Sequence, residues 1–174
     1  MDLAVRVGLR VRELREAQGM SLSELARRSG IGKGTLSELE SGRRNPTLET
    51  LYALTTALKV PLSTALLDLT SPATISGHAV DAVLVERFEA EADDSVAETY
   101  RIRIRAGTRQ ESAAHAIGTV EHLVVFAGTA RVGTLSAPAL IGPGMHGSWP
   151  ADVPHLYEAP AGDVEALLIV HHPQ

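Results

Sequence analysis

Ser21-Leu22-Ser23-Glu24-Leu25-Ala26-Arg27-Arg28-Ser29-Gly30-Ile31-Gly32-Lys33-Gly34-Thr35-Leu36-Ser37-Glu38-Leu39-Glu40-Ser41-Gly42-Arg43-Arg44-Asn45-Pro46-Thr47 carries its own punctuation. Ser21 with Glu24 three residues on is the Ser-x-x-Glu pair that caps a helix start reciprocally. That helix ends at Ser29-Gly30. A very short turn through Ile31 delivers the chain to a second helix, Lys33 to Glu40, which begins near Gly32 and stops at Ser41-Gly42. Two short helices joined by a tight glycine-containing turn leave the second one free to protrude.

Working outward, a first helix is expected over Val5 to Ala17, stopped by Gly19. Thr47 caps a fourth helix running to about Leu58, and Pro61 suits the first position of a short fifth. Apolar residues recur at three- and four-residue spacing through Leu9, Val11, Leu14, Leu22, Leu25 and Ala26, then Leu48, Leu51, Leu54 and Leu58. That is the period of packed amphipathic helices. The head is therefore read as an all-α, five-helix domain over 1–69. Thr70 to Gly77 is small and polar, and the linker is placed at 70–78. Beyond it the pattern changes to alternation, with strand-like runs at Ala79 to Phe88, Tyr100 to Ile104, Val120 to Phe126 and Val164 to Val170. The tail, 79–174, is read as an all-β sandwich or small barrel, which makes the chain α+β in two domains.

Composition sharpens that division. The net charge of -5 divides into 10 Lys+Arg against 8 Asp+Glu over 1–70, and 6 against 13 over 71–174. All seven histidines fall in the second part. Such asymmetry points to two jobs in one chain. Without cysteine there is neither a disulfide framework nor a thiolate metal site. The N-terminus lacks a basic start followed by an apolar run, so it does not read as a signal peptide. No apolar run approaches the roughly 18 residues of a membrane span, and the expected compartment is the cytoplasm.

The quoted stretch, with its flanks over about residues 5–67, resembles the phage-repressor (XRE) helix-turn-helix family. The resemblance implies that Lys33, Gly34, Thr35, Ser37 and Glu38 lie on the recognition helix, with Ser21 also among the DNA-binding residues. Lys33 would donate to guanine O6/N7 and Glu38 accept from a cytosine amino group. Arg43, Arg44 and Asn45 would hold phosphates, which fixes register rather than sequence. Arg15 and Glu40 take the family's structural ion pair between the first and third helices. There are two departures. Gly32 stands where a Ser or Thr usually caps the recognition helix, and Glu38 and Glu40 make that helix less basic.

In the tail, Gly107 through His115, Ile117, Glu121 and Gly128 resembles the first motif of the cupin family, and Pro150-Ala151-Asp152-Val153-Pro154-His155-Leu156-Tyr157 the second. The implied fold is a double-stranded β-barrel, or jelly roll. By period two, Glu121, Leu123 and Val125 share one strand face, and Val120, His122, Val124 and Phe126 the other. Both faces are largely apolar, so the strand is expected to be covered on both sides. Glu121 then needs a partner, because a carboxylate in an apolar interior is costly alone.

Two kinds of partner stay open. His115, Glu121 and His155 suit one divalent transition metal, although Ile117 replaces the family's second histidine and Ala159 stands where an Asn is often found. Alternatively the three form a hydrogen-bonded cluster that lines a ligand pocket with Tyr157. His122 is expected on the outer face, His146 has no assigned partner, and His171-His172 reads as a solvated tail. Arg101, Arg103 and Arg105 alternate along one strand face as a solvated edge.

The function expected from these readings is a dimeric, non-enzymatic transcriptional regulator that binds double-stranded DNA at a paired half-site operator. A small-molecule effector in the barrel would modulate operator affinity. Two alternatives stand beside it: a cupin-type metal-dependent enzyme tethered to a DNA-binding head, and a barrel used only as a dimerisation scaffold.

Overall fold

The computed structural model describes residues 3–66, 73–90 and 95–173, in two compact units that meet at Ala73–Thr74. The first unit holds α1 (Leu3–Ala17), α2 (Leu22–Ser29), α3 (Lys33–Glu40) and α4 (Leu48–Ala57), closed by a short 3-10 segment, Leu62–Ala65. The expected fifth helix is thus a single tight turn. Pro61 sets its start, and Leu66 N–H already bonds back to Ser63. Val11, Leu25, Leu36, Leu39, Leu51, Leu54 and Leu58 are fully buried and form the core, whereas Leu9, also on the apolar period, is exposed.

Local chemistry explains the joints. Ser21 Oγ accepts from Glu24 N–H at 3.1 Å, the expected half of the capping box. The other half is not taken: the Glu24 carboxylate turns to Arg27 at 2.8 Å and Arg28 at 2.6 Å, charge-assisted bonds that outcompete a neutral backbone N–H. Gly30 ends α2 in the left-handed region at φ 69° and lets the chain reverse into α3. On α1, a β-carbon at Gly8 would stand 2.1 Å from Leu39 O, so the two helices pack at backbone contact.

The second unit is two antiparallel sheets. The larger holds β1 (Thr74–Ser76), β2 (Val80–Glu89), β3 (Val96–Ile104), β10 (Val164–His172), β5 (Val120–Ala127) and β8 (His146–Pro150), in that spatial order. The smaller runs β4 (Arg109–Ser112), β9 (His155–Glu158), β6 (Ala130–Thr134), β7 (Ala139–Ile141). The segment expected as linker is strand over Thr74–Ser76, paired to Asp81–Val83; its residues 70–72 lie outside those described. Buried Gln110 on β4 ties the sheets, its Oε1 accepting from Ala79 N–H at 3.0 Å and Val80 N–H at 3.2 Å.

On β5 the inner residues Glu121, Leu123 and Val125 are buried as expected. On the outer face Val120, His122 and Val124 are half-buried among the described residues, and Phe126 is 60 % exposed. No helix among the described residues is long and apolar enough to cross a membrane.

Candidate functional site

The head presents one polar face. Lys33, Gly34 and Glu38 of α3 are exposed, Thr35 and Ser37 half-buried, and Arg43, Arg44 and Asn45 follow at the surface. Leu36, Leu39 and Glu40 take the inward side. Gly32 provides no side-chain cap, as its lack of a hydroxyl requires. Ser21 is exposed, with its oxygen engaged in the cap. Glu38 is held by Arg44 at 3.4 Å, so the residue expected to read a base and the one expected to hold a phosphate are paired with each other. Arg15 grips Glu40 with two bonds, Nε to Oε1 at 2.7 Å and an NH2 bond to Oε2 at 2.8 Å, both groups buried. That is the expected structural pair.

The sequence reading passed over Arg27 and Arg28, both exposed on α2. Their hydrogen bonds, Arg27 first, pull the half-buried Glu24 carboxyl down to about 2. Two arginines in the last turn of the helix before the recognition helix were the available signal.

In the second unit, His115 from the loop after β4, Glu121 from β5, and His155 and Tyr157 from β9 converge between the sheets. All four are buried. His115 Nε2 lies 3.1 Å from Glu121 Oε1, and the Tyr157 hydroxyl donates to Glu121 Oε2. His155 Nδ1 donates to Val153 O at 2.9 Å, which turns Nε2 inward, 3.5 Å from Glu121 Oε2 and without a hydrogen-bond partner. An imidazole lone pair facing a carboxylate oxygen repels it, so a proton on Nε2 or a cation between the two is needed. One ligand atom from each of His115, Glu121 and His155 lies within 4.8 Å of the others, a spacing that fits a metal ion. Burial pushes the Glu121 carboxyl up. The His115 hydrogen bond, the charges of His155 and His115, and the Tyr157 hydroxyl outweigh it and hold the group below its usual value.

Ile117, at the family's second-histidine position, is 92 % exposed and adds nothing to the cluster, in keeping with the loss of a ligand there. Other expectations change. His172 is no solvated tail, since β10 runs on through it and its Nε2 meets buried Glu98 at 3.1 Å. His146 does find a partner, stacked on His122 with 3.2 Å between ring nitrogens. Of the arginine row, Arg101 and Arg103 are exposed as expected, Arg103 in a pair with Asp163, while Arg105 is half-buried and pairs with Asp81.

A helix-turn-helix family model matches residues 11–64. The chain is 32 % identical over 121 residues to the uncharacterized HTH-type transcriptional regulator RghRB of Bacillus subtilis, covering 68 % of this chain and 73 % of that one. It belongs to the XRE family of helix-turn-helix transcriptional regulators. The HTH-type transcriptional regulator SutR of Escherichia coli is 28 % identical over 176 residues, spanning 99 % of this chain and 98 % of its own. An HTH_3 family transcriptional regulator from Vibrio cholerae shares the fold of the XRE regulator described here, with TM-score 0.87, 23 % identity, and coverage of 98 % and 97 % of the two chains.

Proposed function

We propose that this regulator works in the cytoplasm as a homodimer that reads a paired half-site operator and changes its affinity when a small molecule binds between the two sheets. Lys33, Gly34, Thr35, Ser37 and Glu38 face the bases, while Ser21, Arg43, Arg44 and Asn45 hold the phosphates. One short recognition helix reads too few base pairs alone, and a dimer reads two half-sites about one helical turn apart. The exposed outer face of β5, with Phe126 on it, supports the second unit as the dimer contact.

The observation that carries the sensing role is the buried, unpartnered His155 Nε2 beside Glu121, in company with His115 and Tyr157. A polar cluster of this kind is expensive in a sheet interior unless something polar meets it. Coupling of a bound effector to DNA affinity is typically about 1–3 kcal/mol, or roughly 5- to 150-fold.

The test begins with selection of genomic fragments on the purified protein at moderate salt, where non-specific phosphate binding is suppressed. Operator affinity is then measured with and without the small-molecule fraction of a cell extract. A shift of about fivefold or more supports the reading. Recovered operators whose affinity no fraction moves would leave a DNA-binding protein with a scaffold domain.

A second reading is favoured by the orientation of His155. Donation from its Nδ1 to a carbonyl is the usual outer-shell device behind a metal-ligating Nε2. His115, Glu121 and His155 would hold one divalent transition metal with positions left open. Such an ion would supply an electrophilic anchor for an oxygen of the bound molecule. Metal analysis of untagged protein decides it: near one equivalent supports the site, and less than about a tenth removes both it and the tethered-enzyme alternative.

A further inference from the structure

Three of the seven histidines stand on adjacent strands of the larger sheet. His146 of β8 is opposite Val124 of β5, His122 of β5 is opposite Ser148 and Ile169, and His171 of β10 is opposite Val120. Side chains alternate along a strand. With Trp149, Glu121 and Val170 buried on the inside, all three histidines point to the outer face. Each step from one to the next is a diagonal, one strand over and two residues along. Diagonal neighbours stand about 7–8 Å apart, within reach of ring side chains.

The row is open to solvent: His146 is exposed, His122 and His171 are half-buried, and β8 is the edge of the sheet. None of the residues paired directly with the three is charged; they are Val124, Ile169, Ser148, Val120 and Ala97. A histidine kept for an ion pair would face a carboxylate, and these do not. What His122 faces is His146, with its Nδ1 3.2 Å from His146 Nε2. Two imidazole nitrogens bound to one ion at about 2.0–2.1 Å each stand about 2.9 Å apart at a right angle and about 3.4 Å apart at a tetrahedral one. The observed spacing falls between. Among the described residues, only the cluster between the sheets has three ligand atoms already within 4.8 Å of one another. On the outer face two are in place, and the His171 ring has to turn. The excess of 13 Asp+Glu over 6 Lys+Arg in residues 71–174 favours a cation at this surface.

We propose that His122, His146 and His171 form a site for one late first-row divalent ion, such as zinc, on the outer face of the larger sheet. His122 Nδ1 and His146 Nε2 hold the ion, and His171 turns in as the third ligand, which leaves a position open on the outside. An all-imidazole set suits zinc, copper or nickel and not magnesium or calcium. The site is separate from the cluster between the sheets. It stands independently of the sensing role and of the proposed dimer, because all three ligands come from one chain.

The probe is zinc, titrated into the untagged full-length protein in competition with a chromogenic chelator. One bound equivalent should weaken by about tenfold or more in His146→Asn and again in His171→Asn, at least the loss that an outer-shell partner of a ligand brings. Magnesium should not compete for it. Neither substitution touches His115, Glu121 or His155, so an ion between the sheets and one on the outer face are counted apart. The wild-type protein gives a second readout that needs no variant: the imidazole NMR signals of His122, His146 and His171 should shift together as zinc is added. Zinc binding that is the same in either variant, or zinc that moves only the His115 and His155 signals, overturns the proposal. Saturation only at about 1 mM or above marks an adventitious ion only, and overturns it too.

Discussion

Arg15→Met tests the joint that sets the recognition helix. Arg15 reaches from α1 to Glu40 at the end of α3 with bonds of 2.7 and 2.8 Å, and its third nitrogen donates to Met20 O at 2.8 Å. Both side chains are buried, at 10 % and 7 % exposure. Methionine keeps the apolar stem and leaves the Glu40 carboxylate without its cation. Breaking one side of a buried pair costs about 3–5 kcal/mol. A unit of this size has a total stability of roughly 3–10 kcal/mol at 0.05–0.15 per residue, so the loss is a large share of it. Arg15→Met combined with Glu40→Leu removes both charges and should recover most of the deficit, because a well-packed apolar pair often equals a buried ion pair. Among the described residues all α-helices lie in the first unit, so urea unfolding followed by the helical circular dichroism of the full chain reports it. A cost below about 1 kcal/mol for Arg15→Met, or a double variant as unstable as the two single costs added, would refute a desolvated pair as the link between α1 and α3.

Arg44→Ala should weaken operator binding nearly uniformly across operator variants and lower the salt slope by about 0.9 for each phosphate no longer neutralised; Lys33→Ala should cost about 1–3 kcal/mol on the operator and relax preference at one position. Fluorescence anisotropy over a salt series separates the two, and a sequence-selective loss from Arg44→Ala would reverse the roles given to them. Gly8→Ala should destabilise the head by about 1–3 kcal/mol despite alanine's better helix propensity, since its β-carbon would meet Leu39 O at 2.1 Å; the urea experiment above would show no loss if α1 can move away. The Glu24 carboxyl should titrate near pH 2 by NMR, pulled down from 4.5 by Arg27 and then Arg28. The ion pairs of Glu24 with Arg27 and Arg28 are then intact above pH 4.5 and lost as the pH falls through about 2, while the Ser21 cap, made to a backbone N–H, is unaffected; added salt should move the midpoint upward because both arginines are exposed and Glu24 is half-exposed.

The head was readable in the sequence because its signals are local. Ser21, Gly30, Gly42 and Thr47 act within one turn of themselves, and α3 falls on Lys33–Glu40 as the punctuation indicates. What the chain did not disclose there is the packing of helix on helix: Gly8 looks like a weak point of α1 until the approach of Leu39 explains it. The tail was readable only where strands are long. β2, β3, β5 and β10 carry alternation over eight or more residues. β4, β6, β7, β8 and β9 have three to five residues each, too few for a period to stand out. His115, Glu121 and His155 were found through motif spacing. Glu98, His172 and Trp149 were missed because only strand pairing brings them to one face; in sequence Glu98 and His172 are 74 residues apart.

That pairing also weighs against the scaffold alternative. A domain needed only for dimerisation has no use for carboxylates inside it. Each buried ion pair could give way to apolar residues of similar volume at little cost, and often with a gain of about 1–4 kcal/mol. Yet the inner face of the larger sheet keeps Glu98 and Glu121 at 0 % exposure, and Trp149 with an unpaired N–H. Each unpaired buried group costs about 1–3 kcal/mol. The outer face, where a second copy would dock, carries Phe126 and the His122–His146 pair and needs none of this. On the proposed function, a second copy would cover the outside of the sheet, and a bound polar molecule would meet the groups inside.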